Sequence, residues 1–175
     1  MSGTFGESTR TVDLKGDKLW MTTLTSSMTR LGLLSPIPDH KLQVFIDIVN
    51  SYAKLSKDPR TKVASLILRR DFSIISGGYN GFPAGFPDSE EYWNDRERKN
   101  AMVIHSEENA IDYAGSNDLT GSILICTHYP CPRCAAKIVK RRIAYVYYLN
   151  DKRADHNCSL TDDIFRKANV HTFRC

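Results

Sequence analysis

Three layers are expected of this chain, with helices on both faces of a five-stranded mixed sheet. Apolar stripes at helical spacing alternate along it with short β-branched runs, and Gly, Pro and Asp punctuate the joins. The resulting order, α-β-β-α-β-α-β-α-β, opens on a hairpin and then needs helical crossovers, so mostly parallel pairing should follow the hairpin. At 175 residues, 41% hydrophobic and 25% charged, the chain is long enough for one core and is neither disordered nor fibrous in composition.

Residues 1–38 are rich in Ser, Thr and Gly and end in Ser35-Pro36-Ile37-Pro38, which reads as an N-terminal arm preceding a domain over 39–175. From Lys41 the positions Leu42, Phe45, Val49, Tyr52 and Ala53 form a helical stripe expected to end near Ser56, before the turn at Asp58-Pro59. Val63 to Leu68 and Phe72 to Ser76 read as two strands turning at Arg70-Asp71. Gly77 to Asp88 and the charged stretch through Lys99 read as one long binding loop, its aromatics Tyr79, Phe82, Phe86, Tyr92 and Trp93 arguing for order.

Beyond it, helices are expected over 106–114, 131–142 and 160–168, and strands over 122–127, 144–149 and 170–173. No apolar run approaches the length of a membrane span. A net charge of +4 suits a phosphorylated small substrate; the aromatics cluster with Asp88, Glu90 and Glu91, which disfavours nucleic acid. Five cysteines, two of them in a Cys-x-x-Cys pair, and no secretory pattern point to a reducing, cytoplasmic setting.

Two segments carry chemistry: His105-Ser106-Glu107, and Pro130-Cys131-Pro132-Arg133-Cys134 across a strand from it. His105, Cys131 and Cys134 supply the three ligands of a catalytic zinc, whose fourth position stays open to water. Each segment sits where a loop enters a helix, and a helix N-terminus favours thiolate over thiol. Glu107 is left over as a proton shuttle, and His-x-Glu followed by Pro-Cys-x-x-Cys resembles the pattern of zinc nucleobase deaminases. A structural site closed by His128, Cys126 or Cys158, or a redox pair, would leave Glu107 unexplained. Glu108 fails the motif spacing and reads as a solvated helix-face residue, and His40, His128, His156 and His171 carry no motif.

With Ser56-Lys57-Asp58-Pro59-Arg60 and Gly78-Tyr79-Asn80-Gly81-Phe82-Pro83 added, residues 40 to 150 resemble the deoxycytidylate (dCMP) deaminases of the zinc-dependent cytidine deaminase superfamily. The resemblance implies a cytidine-deaminase-like α/β/α fold and hydrolysis of dCMP to dUMP and ammonia, feeding thymidylate synthesis, with Glu107 moving the protons. It implies substrate contacts at Asn80, Ser56, Asp58 and Arg60, with Arg60 suited to a phosphate. It also implies a homo-oligomer, a hexamer in many members, switched on by dCTP and off by dTTP with Mg²⁺ at Gly78, Tyr79, Asn80, Gly81 and Phe82. Ser106 replaces the family's usual Ala, and Arg153 stands where a ring-contacting Tyr is common, which leaves a dCTP or dual dCMP/dCTP preference open. No His lies in 88–104 to build a second metal site, so one zinc per chain is expected. Two further readings remain, a nucleic-acid cytosine or adenosine deaminase and a zinc-stabilised nucleotide sensor without turnover.

Overall fold

A computed structural model describes residues 36–151 and 158–175 of the chain. The expected arm and Arg153 therefore lie outside the described residues, apart from the arm's last three positions. Five strands, β1 (Ala64–Leu68), β2 (Ile74–Tyr79), β3 (Ile123–His128), β4 (Tyr145–Asn150) and β5 (His171–Arg174), form one sheet in the order β2-β1-β3-β4-β5. β1 is antiparallel to both β2 and β3, while β3, β4 and β5 are mutually parallel. The expected mixed sheet is present.

Side chains alternate across the strands and so divide the core in two. Leu66, Leu68, Ile123, Ile125, Tyr145 and Tyr147 face one layer, where α1 (Asp39–Ala53) packs through Phe45, Val49 and Ala53. Ile67, Leu124, Cys126, Val146 and Tyr148 face the other. There α4 (Ser106–Tyr113), α5 (Pro132–Lys140) and α6 (Cys158–Lys167) cover the sheet through Ala110, Ile111, Ala135, Ile138 and Phe165.

Most boundaries shift by a residue or two, and three departures from the sequence reading are larger. The first helix stops at Ala53 rather than near Ser56, because Ser56 turns inward and its hydroxyl donates to the Asn80 carbonyl at 2.9 Å. The hairpin turn takes Phe72 into the left-handed region at φ 71, with the Asp71 carboxylate accepting from the Ser73 amide, so β2 starts at Ile74 and runs on through Tyr79. The long loop holds two short helices, α2 (Glu90–Asn94) and α3 (Arg96–Met102). Phe82 stacks on Trp93 with ring centroids 4.2 Å apart, and Asp95 caps α3 by accepting from the Arg98 amide.

That excursion is pinched at its base. Gly81 and Ile104 exchange both backbone hydrogen bonds, at 3.2 and 2.9 Å, so the chain re-enters beside the strand it left and His105 starts α4 at the sheet edge. No helix among the described residues is long and apolar enough to cross a membrane.

Candidate metal centre and the cavity beside it

β2 and β3 flank β1 and both run against it, so they point the same way and end at one edge of the sheet. The chain beyond β2 returns to that edge to begin α4, and β3 leads directly into α5. His105 and Cys131 are the N-cap residues of these two helices, and Cys134 lies in the first turn of the second. Pro132 at the start of α5 presets the backbone there.

The donor atoms converge. His105 Nδ1 lies 3.5 Å from Cys131 Sγ and 3.4 Å from Cys134 Sγ, and all three atoms fall within 4.8 Å of one another. Zinc–sulfur bonds of about 2.3 Å and a zinc–nitrogen bond of about 2.0 Å, set at a tetrahedral angle, need a nitrogen–sulfur separation of about 3.5 Å. The residues fit zinc. His128, Cys126 and Cys158 are not part of the group; the buried Cys126 thiol instead donates to the Tyr147 carbonyl. All five cysteines are free of disulfides.

As a coupled pair, the thiol of Cys134 donates to Cys131; together with His105 it outweighs burial and holds the Cys131 thiol down to about 3. The same contact, with burial, pushes Cys134 up. His105 is raised, first by its contact with Cys131.

A cavity of about 480 Å³ opens against His105 and Cys131. Glu107 lines it, 4% exposed, and burial raises its carboxyl above the ordinary range. The Ser106 hydroxyl donates to Glu107 Oε2 at 3.0 Å and lies 2.8 Å from the Ser65 hydroxyl, so Ser65 donates to Ser106 in turn. Both serines are fully buried.

Asn80, Asp58 and Arg60 also line this cavity; Ser56 does not. The Asn80 amide is largely committed. Its nitrogen donates to Asp58 Oδ2 and the Thr61 carbonyl, and its oxygen accepts from the Val63 amide. Asp58 is 1% exposed and meets Lys99 Nζ at 2.6 Å. Burial would raise its carboxyl, but Lys99 and the amides of Arg60 and Thr61 outweigh burial and hold it low. Gly78 is buried against α4, so its missing side chain serves helix packing, whereas nothing lies within 4 Å of the Cβ position of Gly81. Tyr79 packs edge-on against Tyr52.

Among the lining residues that the sequence reading missed are the polar side chains of Arg96, Lys99, Asn100 and His128. For α3 the available signal was Asp95 as a helix cap before good helix formers. His128 had none, since its place follows from where β3 ends. Glu108 is corrected outright: it is 3% exposed and ion-paired, not solvated, because its carboxylate turns toward Arg133 and Lys137 of the neighbouring helix.

Comparison with known proteins places these features in context. The family profile described as "Cytidine and deoxycytidylate deaminase zinc-binding region" matches residues 39–150. A protein of Aliivibrio fischeri described as "uncharacterized deaminase in luxG 3′ region" is 37% identical over 131 residues, 72% of this chain and 87% of its own length. A probable deoxycytidylate deaminase of Caenorhabditis elegans is 35% identical over 115 residues, 64% of this chain, and the match spans 58% of the worm protein. The crystal structure of dCMP deaminase from the cyanophage S-TIM5, in complex with dCMP and dUMP, superposes with a TM-score of 0.66 at 26% identity, covering 79% of this chain and 99% of that one.

Proposed function

This chain belongs to the cytidine and deoxycytidylate deaminase family, and from that premise we propose that it hydrolyses dCMP to dUMP, consuming one water and releasing ammonia. One observation carries the reading: Glu107 shares a cavity with the face of a His/Cys/Cys zinc group. When bound by His105, Cys131 and Cys134, zinc activates a water for attack on C4 of the cytosine ring.

Glu107 accepts one proton of that water and passes it to ring N3; it then takes the second proton from the new C4 hydroxyl and delivers it to the leaving amine, so that ammonia departs as the C4 carbonyl forms. Burial raises the proton affinity of Glu107 above that of an ordinary carboxylate, which helps it hold a proton between the two transfers. Ser106 holds Oε2 and leaves Oε1 to move the proton. With both Asn80 N–H groups engaged, the remaining lone pair of its oxygen is what can meet the deoxyribose hydroxyl, as an acceptor. Asp58 and Ser56 act one step back, holding the 56–63 segment through Asn80 and Lys99.

The 5′-phosphate meets Arg60 and Arg96. Both are exposed on the cavity lining and no ion pair among the described residues engages either, whereas Lys99 is neutralised by Asp58. Regulation by dCTP and by dTTP with Mg²⁺, in a homo-oligomer, belongs to the same proposal; the open space at the Cβ position of Gly81 supports it, whereas Gly78 is taken up in packing against α4.

The test is loss of cytosine absorbance with dCMP, dCTP, deoxycytidine and single-stranded DNA in separate reactions, each with and without effectors. Turnover of dCMP well above the other three is expected. Turnover of DNA alone would overturn the proposal, as would nucleotide binding without any product.

A further inference from the structure

Glu108 is a buried charge whose partners come from the other half of the metal site. Its Oε2 accepts from the His105 amide at 3.2 Å and from Arg133 Nη2 at 2.5 Å. Its Oε1 accepts from Arg133 Nε at 3.1 Å and meets Lys137 Nζ at 2.7 Å. The carboxylate is thus satisfied on both oxygens while 3% exposed. Arg133 stands between the two cysteine ligands, and Lys137 follows one turn later on α5.

This arrangement answers a specific electrostatic difficulty. The N-termini of α4 and α5 meet at the metal group, and each carries partial positive charge, so the two ends repel. A carboxylate in the first turn of α4 meets the positive end of that helix and offsets the Arg133 cation at the start of α5, and the forked Arg133 contact gives it one geometry. Against burial, which alone would raise it, Arg133, Lys137 and the His105 amide hold the Glu108 carboxyl down to about 2.

We propose that Glu108, Arg133 and Lys137 form a positioning clamp for the zinc site, fixing the start of α4 against the first turn of α5 and so presetting the distance between His105 and the two cysteines. This rests on the reading of those three residues as zinc ligands. Ligands drawn from distant segments otherwise have to be ordered by the metal itself, at the expense of its affinity.

The test compares the parent with Glu108→Gln, Arg133→Gln and the double variant. Gln keeps the size of Glu and can still accept the His105 amide, so the cap survives while the charge is lost. Zinc affinity and release rate are read by competition with a chromophoric chelator, beside circular dichroism and thermal unfolding. Glu108→Gln is expected to weaken zinc binding about 10- to 100-fold, in the range found when groups supporting a metal ligand are removed. Arg133→Gln should lose less, because Lys137 still holds Glu108, and the double variant should be no worse than Glu108→Gln. Variants that release zinc at the parent's rate, even with a lowered unfolding temperature, would overturn the clamp and leave the metal site standing. A parent that takes up no zinc would overturn both. Should Glu108→Gln not fold, Arg133→Gln decides the matter alone, since its side chain is 59% exposed.

Discussion

Gly78 of β2 lies so close to Ala110 of α4 that a methyl group on its Cα would stand 2.3 Å from the Ala110 amide nitrogen and 2.5 Å from the Ser106 carbonyl. Neither atom can swing aside, because both belong to the backbone of the helix that carries Glu107. Gly78→Ala is therefore expected to cost about 3 kcal/mol, at the upper end for overpacking, and to depress turnover by displacing α4. Gly81→Ala, with open space at its Cβ, should stay within about 0.5 kcal/mol of the parent. Urea unfolding of both variants checks this; equal stabilities would refute it.

Glu107→Gln should keep its zinc and lose turnover by about 10²- to 10⁴-fold, the usual worth of a positioned proton-transfer group. Ser106→Ala removes only the hydroxyl that steadies Glu107, so kcat should fall about tenfold with KM little changed, as suits one hydrogen bond to a charged group. Metal analysis and steady-state rates on the same preparations separate the two effects. Full turnover in Glu107→Gln would place the proton shuttle elsewhere.

Arg60→Gln and Arg96→Gln should each raise KM for dCMP about tenfold, the worth of one charge-assisted contact, while leaving kcat/KM for deoxycytidine as it was. The nucleoside lacks the phosphate and so reports on the rest of the site. Equal losses with nucleotide and nucleoside would mean that these side chains shape the cavity rather than meet the phosphate.

Lys99→Met strands Asp58, whose side chain is 2% exposed, without its cation, and is expected to cost about 3 kcal/mol at neutral pH. The Asp58 carboxyl sits below its ordinary 3.8 in the folded protein, so its contribution is present above that pH and fades as acid protonates the group below it. The stability gap between parent and Lys99→Met should accordingly narrow as pH falls from 7 to 3. Urea titrations across that range measure it; a constant gap would show that the pair does not set the acid response.

Much of this site is local in origin and was legible in the residues. His105 and Cys131 each stand where a loop meets a helix, so cap chemistry and the Pro after Cys131 place them without knowledge of the rest of the chain. The strands from Ile123 onward announce themselves by β-branched and aromatic runs. The charged segment 90–102 was harder, because its two short helices have no apolar stripe of their own and lean on an aromatic cluster from the preceding loop. Glu108 did carry a local signal, three residues past a helix cap, but nothing nearby in sequence marks Arg133 and Lys137 as its partners.

Residue types and short-range spacing thus marked out the His105, Cys131 and Cys134 group that could hold a metal, Glu107 next to it in sequence and the succession of helices and strands, since these depend on interactions within a few positions. Which charges share a cavity was settled by chain reversal: β2 and β3 end at one edge only because both oppose β1, and that brings Arg60, Arg96 and His128 around Glu107. Pairing between strands dozens of residues apart is driven by burial of both sheet faces at once, a property of the assembled layers that no single stretch of the chain contains.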